Sequence, residues 1–335
     1  MYNKYKKRFP LWVIIWSTVF LLTCILAISL GASSVSMTRI IPTLIGDGTF
    51  KEEFVIFSVR LPRLAVLAMA GIALALSGAI LQTLTRNDLA DPGIIGINAG
   101  AGVGITIFYI YAGGGLASQP YMLPLVGFMS AILSAGLIYF FATERHTGVN
   151  PVKLVLIGIG FAFALSGLMT ILISSAERAD VQFIAAWLSG NVWGADWPYV
   201  WALLPWILIA APISLWKAKR LNIMRLEDSV GKGLGIHFKR ERAILLVLAV
   251  ALAASAVSVV GSVSFIGLIA PHIAKQMAGV QHQRFLPISM FVGATLLVAA
   301  DTIGRVIYSE ATIPAGVIVA LIGAPYFVYL LRKAL

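Results

Sequence analysis

Ten mostly apolar stretches, several close to the roughly 20 residues that carry a helix across a bilayer, follow one another from residue 11 to residue 331. In hydrocarbon a backbone must satisfy its own hydrogen bonds, and a helix does so within one segment. The runs fall near 11–30, 61–83, 93–112, 121–142, 152–174, 197–215, 243–262, 264–280, 286–304 and 312–331. The seventh and eighth nearly touch, and the eighth is short. Only 12% of the 335 residues are charged and mean hydropathy is +0.93, whereas a soluble domain carries about a quarter charged residues. The expected fold is an all-α polytopic membrane protein of about ten helices, with 1–335 forming a single transmembrane domain.

The formal charge of +11 is distributed as a topology signal. Lys and Arg cluster at Lys4–Arg8, between Lys217 and Arg242, and at Arg332-Lys333. An even number of crossings puts both termini on one side. With the N-terminus inside, all but six of the 25 Lys and Arg fall on inner segments, as the positive-inside rule requires. A nucleic-acid role is not expected from this pattern. Residues 31–59 then form an outer loop broken by Pro42, Gly46 and Gly48. Residues 176–196 suit a short amphipathic helix at the outer interface, with Trp187, Trp193 and Trp197 at headgroup depth. The long loop 216–242 faces the cytoplasm. Cys24 is the single cysteine, so no disulfide forms within the chain. The stretch 11–30 lacks a clear A-x-A site and reads as a retained first helix.

The chain also echoes itself. Leu89, Pro92 and Gly100 stand at the same offsets from Arg63 as Leu268, Pro271 and Gly279 do from Arg242. Five crossings separate the two starts, so the copies run in opposite directions, as in the inverted repeats of transporters.

Arg60-Leu-Pro-Arg63 heads the second run, with its arginines one helical turn apart around Pro62, a residue suited to a helix start. Arg305 ends the ninth run, just after Asp301. These cations suit either snorkelling to phospholipid or pairing with an acidic partner protein. The other flank of the second run is Arg86-Asn-Asp-Leu-Ala-Asp-Pro92. In the long inner loop, Asp228 or Ser229 suits the cap of a short helix ended by Gly233 or Gly235, and Leu226, Val230 and Leu234 give it an apolar side. A solvated basic loop is the alternative there. Gly71, Ser77 and Gly78, the glycines at 96, 100, 102 and 104, and Gly158, Gly160, Ser166 and Gly167 permit close helix packing. No strand precedes Gly100-x-Gly102-x-Gly104 and no Lys-Ser/Thr follows it, and the chain has no phosphate-binding loop. His272 reads as a neutral, hydrogen-bonded histidine, and Asp91 and Asp301 as helix-end or loop carboxylates. No His/Cys/Asp cluster has metal-ligand spacing and no nucleophile–base set is visible, so enzyme chemistry is not expected.

Taken together, Arg60-Leu-Pro-Arg63, Ser77-Gly-Ala-x-x-Gln82, Arg86-Asn-x-Leu-Ala-Asp-Pro92, Phe265-Ile-Gly-Leu-Ile-Ala-Pro-His272, Ala300-Asp-x-x-x-Arg305 and Ile313-Pro-Ala-Gly316 through Gly323-Ala-Pro325 resemble the iron-chelate and vitamin B12 branch of ABC-importer permeases over nearly the full length. The resemblance implies a ten-helix permease in a bacterial cytoplasmic membrane. Its partners would be a second permease (the same chain or another), two cytoplasmic ATP-binding subunits and an extracytoplasmic substrate-binding protein. ATP and Mg would sit on the ATPase, and this chain would bind no cofactor.

By the same resemblance, Arg60, Arg63 and Arg305 pair with binding-protein glutamates. The segment of Leu226, Glu227, Asp228, Ser229, Val230, Gly231, Lys232, Gly233, Leu234 and Gly235 docks on the ATPase. Asn87, Leu89, Asn150 and Pro151 correspond to gates, and the fifth span, with Gly158 and Ser166, lines the path. Asp88 departs from the proline usual in the family, and Lys275 from a common arginine. The implied cargo is an iron(III)-siderophore complex, with cobalamin or haem as alternatives. An ion-coupled secondary transporter is the competing class, and it needs acidic residues well inside a span, which this sequence lacks.

Overall fold

The computed structural model describes residues 2–31, 36–112, 119–144, 148–192, 196–226, 237–307 and 312–334. Among them the helices are α1 (Tyr2–Ser29), α2 (Met37–Leu44), α3 (Phe50–Glu53), α4 (Leu61–Thr85), α5 (Ile97–Tyr111), α6 (Met122–Ala142), α7 (Pro151–Ser174), α8 (Arg178–Leu188), α9 (Trp197–Trp216), α10 (Ala218–Met224), α11 (Phe238–Val260), α12 (Ile266–Ala278), α13 (His282–Ile307) and α14 (Ala315–Ala334). One two-residue strand pair, Thr143–Glu144 with Gly148–Val149, joins α6 to α7. Each of the ten apolar runs has become one helix. Eight are long and apolar enough to cross a membrane, while α5 and α12 are shorter.

The segment 31–59, expected as a loop, is largely helical where it is described. Thr49 and Glu52 form a reciprocal capping box that starts α3, and Arg39 pairs with Glu52 at 3.1 Å to hold α2 against it. From Phe50 the chain then stays helical through Thr85. Pro62 is therefore not a helix start. It follows a π-helical stretch, Phe54–Arg60, closed by Leu61 N–H donating to Ile56 O. Proline lacks an N–H for the ordinary α ladder, and the wider turn lies where that ladder is interrupted.

Helices α4, α11 and α13 are the most buried, and α1 and α7 the most exposed. The small residues explain the packing. Gly71 of α4 lies against the Gly293 backbone of α13, and Gly78 against Gly267 of α12. Gly100 and Gly104 of α5 meet Ser134 and Ser130 of α6. By contrast Gly160 and Gly167, on α7, have nothing within 4 Å.

The halves pair symmetrically. Helix α4 packs on α11; α4 packs on α13 as α11 packs on α6; α5 packs on α6 as α12 packs on α13. Both short helices open on a left-handed residue, Gly96 at φ 74° and Phe265 at φ 70°. The fixed-offset echo is not this symmetry: Pro92 starts a 3-10 turn whereas Pro271 lies inside α12, and Gly100 lies inside α5 whereas Gly279 follows α12. The break between α4 and α5 is longer than that between α11 and α12, so one offset cannot hold along both copies.

Helix α8 occupies the expected interfacial segment, yet Trp187 is buried. The Ser262 amide donates to the Trp187 carbonyl at 3.3 Å, and Gly190 O accepts from Gly316 N at 3.2 Å. Gly190, at φ 72°, leaves room for Gly316 Cα 2.9 Å from where a Cβ would stand. The end of α8, the α11–α12 link and the start of α14 thus meet at one point. Trp193 lies outside the described residues. Trp197 is partly exposed and donates from Nε1 to Phe57 O at 3.0 Å.

Candidate functional site

Helix α4 sets the geometry because its two ends carry the two charged motifs. At about 1.5 Å per residue its 25 residues separate them by more than the roughly 30 Å of a bilayer core.

At the Leu61 end, Arg60, Arg63 and Arg305 come together. They are not rim cations held out in water. Arg60 is only 6% exposed and donates to Ile28 O. Arg63 grips Asp301 bidentately, Nη2 to Oδ1 at 2.7 Å and Nε to both oxygens at 3.1 Å. Arg305 Nε reaches Asp301 Oδ2 at 2.9 Å, while its Nη1 and Nη2 donate to Leu30 O at 3.0 Å and Ala27 O at 3.2 Å. Arg63 and Arg305 thus share one carboxylate, and Arg60 and Arg305 take the carbonyls at the C-terminus of α1, where the helix dipole favours positive charge. A 130 Å³ cavity opens among Arg60, Arg63, Asp301 and Arg305. Asp301, read from sequence as a helix-end or loop carboxylate, is the centre of this cluster. Its side chain is 3% exposed.

At the Thr85 end, Arg86 adopts φ 51° and caps α4. Asn87 Oδ1 accepts the Leu89 amide at 2.9 Å, so these two residues form one tight turn. Asp91 is buried and accepts amides from Gly93, at 2.8 Å, and from Phe265 and Leu268 at the start of α12. Burial pushes its carboxyl up to about 6, and the three amides oppose the rise. Burial works to raise Asp88 as well, but Lys275 and Arg225 hold it below its ordinary value. His272 bonds Gln276 at 2.8 Å, in line with its reading as a hydrogen-bonded histidine. Of the segment expected to dock the ATPase, Leu226 is described and half exposed; Glu227 to Gly235 lie outside the described residues.

Asn150 caps α7, its Oδ1 accepting from Val152 N at 3.0 Å and Lys153 N at 3.3 Å, and Pro151 is the first residue of that helix. Gly158 is buried, with its carbonyl beside Gly96. Ser166 lines a 430 Å³ cavity together with Asn98, Thr170, Ser262 and Ser264. That lining, which sequence reasoning reached only at Ser166, is uncharged. Thr170 is one turn further along α7, whereas Asn98 comes from α5 and Ser262 and Ser264 from the α11–α12 link, brought to α7 by tertiary packing that no local pattern records. Among the described residues no group of three or more His, Cys, Asp or Glu could hold a metal ion.

The motif residues have physical roles in this arrangement. Gly267 lets α12 approach α4, Gly316 seats α14 on the end of α8, and Gly323 makes room for the Phe265 ring. Residues 19–333 match the FecCD transport family. The iron(3+)-hydroxamate import system permease protein FhuG of Bacillus subtilis is 41% identical over 99% of both chains. The Fe(3+) dicitrate transport system permease protein FecC of Escherichia coli is 35% identical, covering 96% of this chain and 94% of its own. Among solved structures, one described as an inward-facing conformation of a metal-chelate type ABC transporter superposes with a TM-score of 0.85 at 29% identity, over 97% of this chain and 99% of its own. The chain therefore belongs to the FecCD transport family: it is a multi-pass membrane permease of the ABC-importer kind, and not an enzyme.

Proposed function

We propose that this chain is the transmembrane subunit through which an iron(III)-siderophore complex enters a bacterial cytoplasm, driven by ATP hydrolysed on a partner. The full-length match to permeases named for iron(3+)-hydroxamate and iron(3+)-citrate import carries the reading. The uncharged cavity beside α7 supports it, since a bulky chelate would be held back by strong fixed charges. In this reading the chain pairs with a second permease, with two ATP-binding subunits and with an extracytoplasmic binding protein. Asn87, Leu89, Asn150 and Pro151 border the inner gates, and Gly158 and Ser166 line the path. The segment 226–235 docks on the ATPase, and the cluster of Arg60, Arg63 and Arg305 faces the binding protein.

Vesicles holding the assembled transporter should take up a radioiron-labelled ferric trihydroxamate only with ATP inside and the loaded binding protein outside. Uptake that follows an ion gradient without ATP would transfer the chain to the secondary transporters.

The reading places both termini and 216–242 in the cytoplasm, from the cationic asymmetry of the sequence. On a Cys24→Ser background, Lys232→Cys should resist an impermeant thiol reagent in intact cells and react once the membrane is opened. Labelling in intact cells would reverse the orientation and every docking assignment with it.

A further inference from the structure

Three pieces of chain meet where α4 ends, and a single carboxylate joins them. Asp88 Oδ1 accepts Lys275 Nζ of α12 at 2.7 Å and lies 3.7 Å from Arg225 Nη2. The two residues before Asp88 reinforce the contact. Arg86 Nη2 donates to Leu226 O at 2.5 Å, and the Asn87 turn fixes the backbone on which Asp88 stands. Lys275 is also tied to α4 through Gln82 Oε1 at 2.7 Å, and its ammonium lies 5.4 Å from the Phe285 ring centre. The Lys275 side chain is 9% exposed, and Asp88 is its one ion-pair carboxylate among the described residues. A cation this buried is costly without its counter-charge.

We propose that Asp88 is a positioning residue that couples the chain leading into 227–236 to the turn between α4 and α5. The placement supports it. Arg225 and Leu226 are the last described residues before that segment, while Asn87 and Leu89 lie on the turn that leads through Asp91 to α5 and to the start of α12. A pull on 225–226 is thereby felt at the turn through two contacts, the Arg86 hydrogen bond and the Asp88 charge pairs. Without the carboxylate only the first remains, and Lys275 loses its reason to hold the turn against α12. The inference rests on reading 226–235 as the ATPase-docking segment and adds the residue through which that docking reaches the turn.

Two measurements test it. In vesicles with the complete transporter and ferric trihydroxamate as cargo, Asp88→Asn should assemble and hydrolyse ATP. It should import about tenfold less per ATP, within the usual range of site-to-site coupling, while Asp88→Glu, which keeps the carboxylate, should import as the parent does. Loss of assembly, a parallel fall in uptake and hydrolysis, or unchanged import per ATP would each overturn the proposal. The second measurement needs no transport. A spin label on Leu226→Cys, in the Cys24→Ser background, should become more mobile when Asp88→Asn is added. An unchanged spectrum overturns the coupling even in a preparation that moves no cargo, whereas absent uptake by the parent with a responsive label faults the assigned cargo alone.

Discussion

Leucine in place of Gly78 should leave no folded protein to measure. A Cβ at this position would collide with the carbonyl O, C and Cα of Gly267, all of them backbone atoms of α12. Overpacked cores ordinarily lose about 1–3 kcal/mol because neighbouring side chains yield. Backbone does not yield without moving the helix, and this crossing also carries the Gln82 Nε2 to Gly267 O hydrogen bond at 3.1 Å. Helix α4 is besides the hub on which α11, α12 and α13 pack, so displacing it spreads through the core. A total stability of about 5–15 kcal/mol is then within reach of one substitution. The measure is the yield of monodisperse protein in detergent and its thermal midpoint. Gly136→Leu on α6, where nothing lies within 4 Å, is the control and should fold as the parent does. Normal yield and midpoint for Gly78→Leu would mean that α4 and α12 do not touch here.

Hydropathy made the ten helices legible because in a membrane protein the solvent itself selects the apolar run. It also flagged α12 as short. What hydropathy does not register are helices outside the apolar runs: 31–59 reads as loop because Pro42, Gly46 and Gly48 are strong breakers. The capping box at Thr49 and Glu52 was nonetheless readable three residues apart. The small residues announced close packing without naming the partner. Gly71 needs Gly293, and Gly78 needs Gly267, at separations no local rule spans. Motifs marked charged positions at both ends of α4 but carried nothing about their setting. Arg60, Arg63 and Arg305 were expected as exposed cations, whereas the structure sets them around Asp301 and the end of α1. That clustering depends on a pair 238 residues apart in sequence, and periodicity carries nothing about such a pair. Asp88 was visible only as a departure from the family's usual proline, and its partners Lys275 and Arg225 come from two other elements.

Asparagine at 301 should pull apart the two duties assigned to the arginine cluster. As a structural staple, Asp301 is the carboxylate between Arg63 and Arg305, and removing one member of a buried ion pair typically costs about 3–5 kcal/mol. Asparagine keeps the shape and one acceptor oxygen, but it cannot answer the bidentate fork of Arg63. The thermal midpoint of Asp301→Asn should therefore fall well below that of the parent. As a docking surface the same cluster should gain, because three guanidiniums against one carboxylate become three against none. Attraction to an acidic partner then increases, while remaining screened beyond about 8 Å at physiological ionic strength. The loaded binding protein should thus hold the variant in nanodiscs at least as tightly as the parent at low salt, and release it more steeply as salt rises. A midpoint equal to the parent's would remove Asp301 from the architecture. Affinity that ignores both the substitution and the salt would leave these arginines with one duty, tying α1, α4 and α13 together at that end of the bundle.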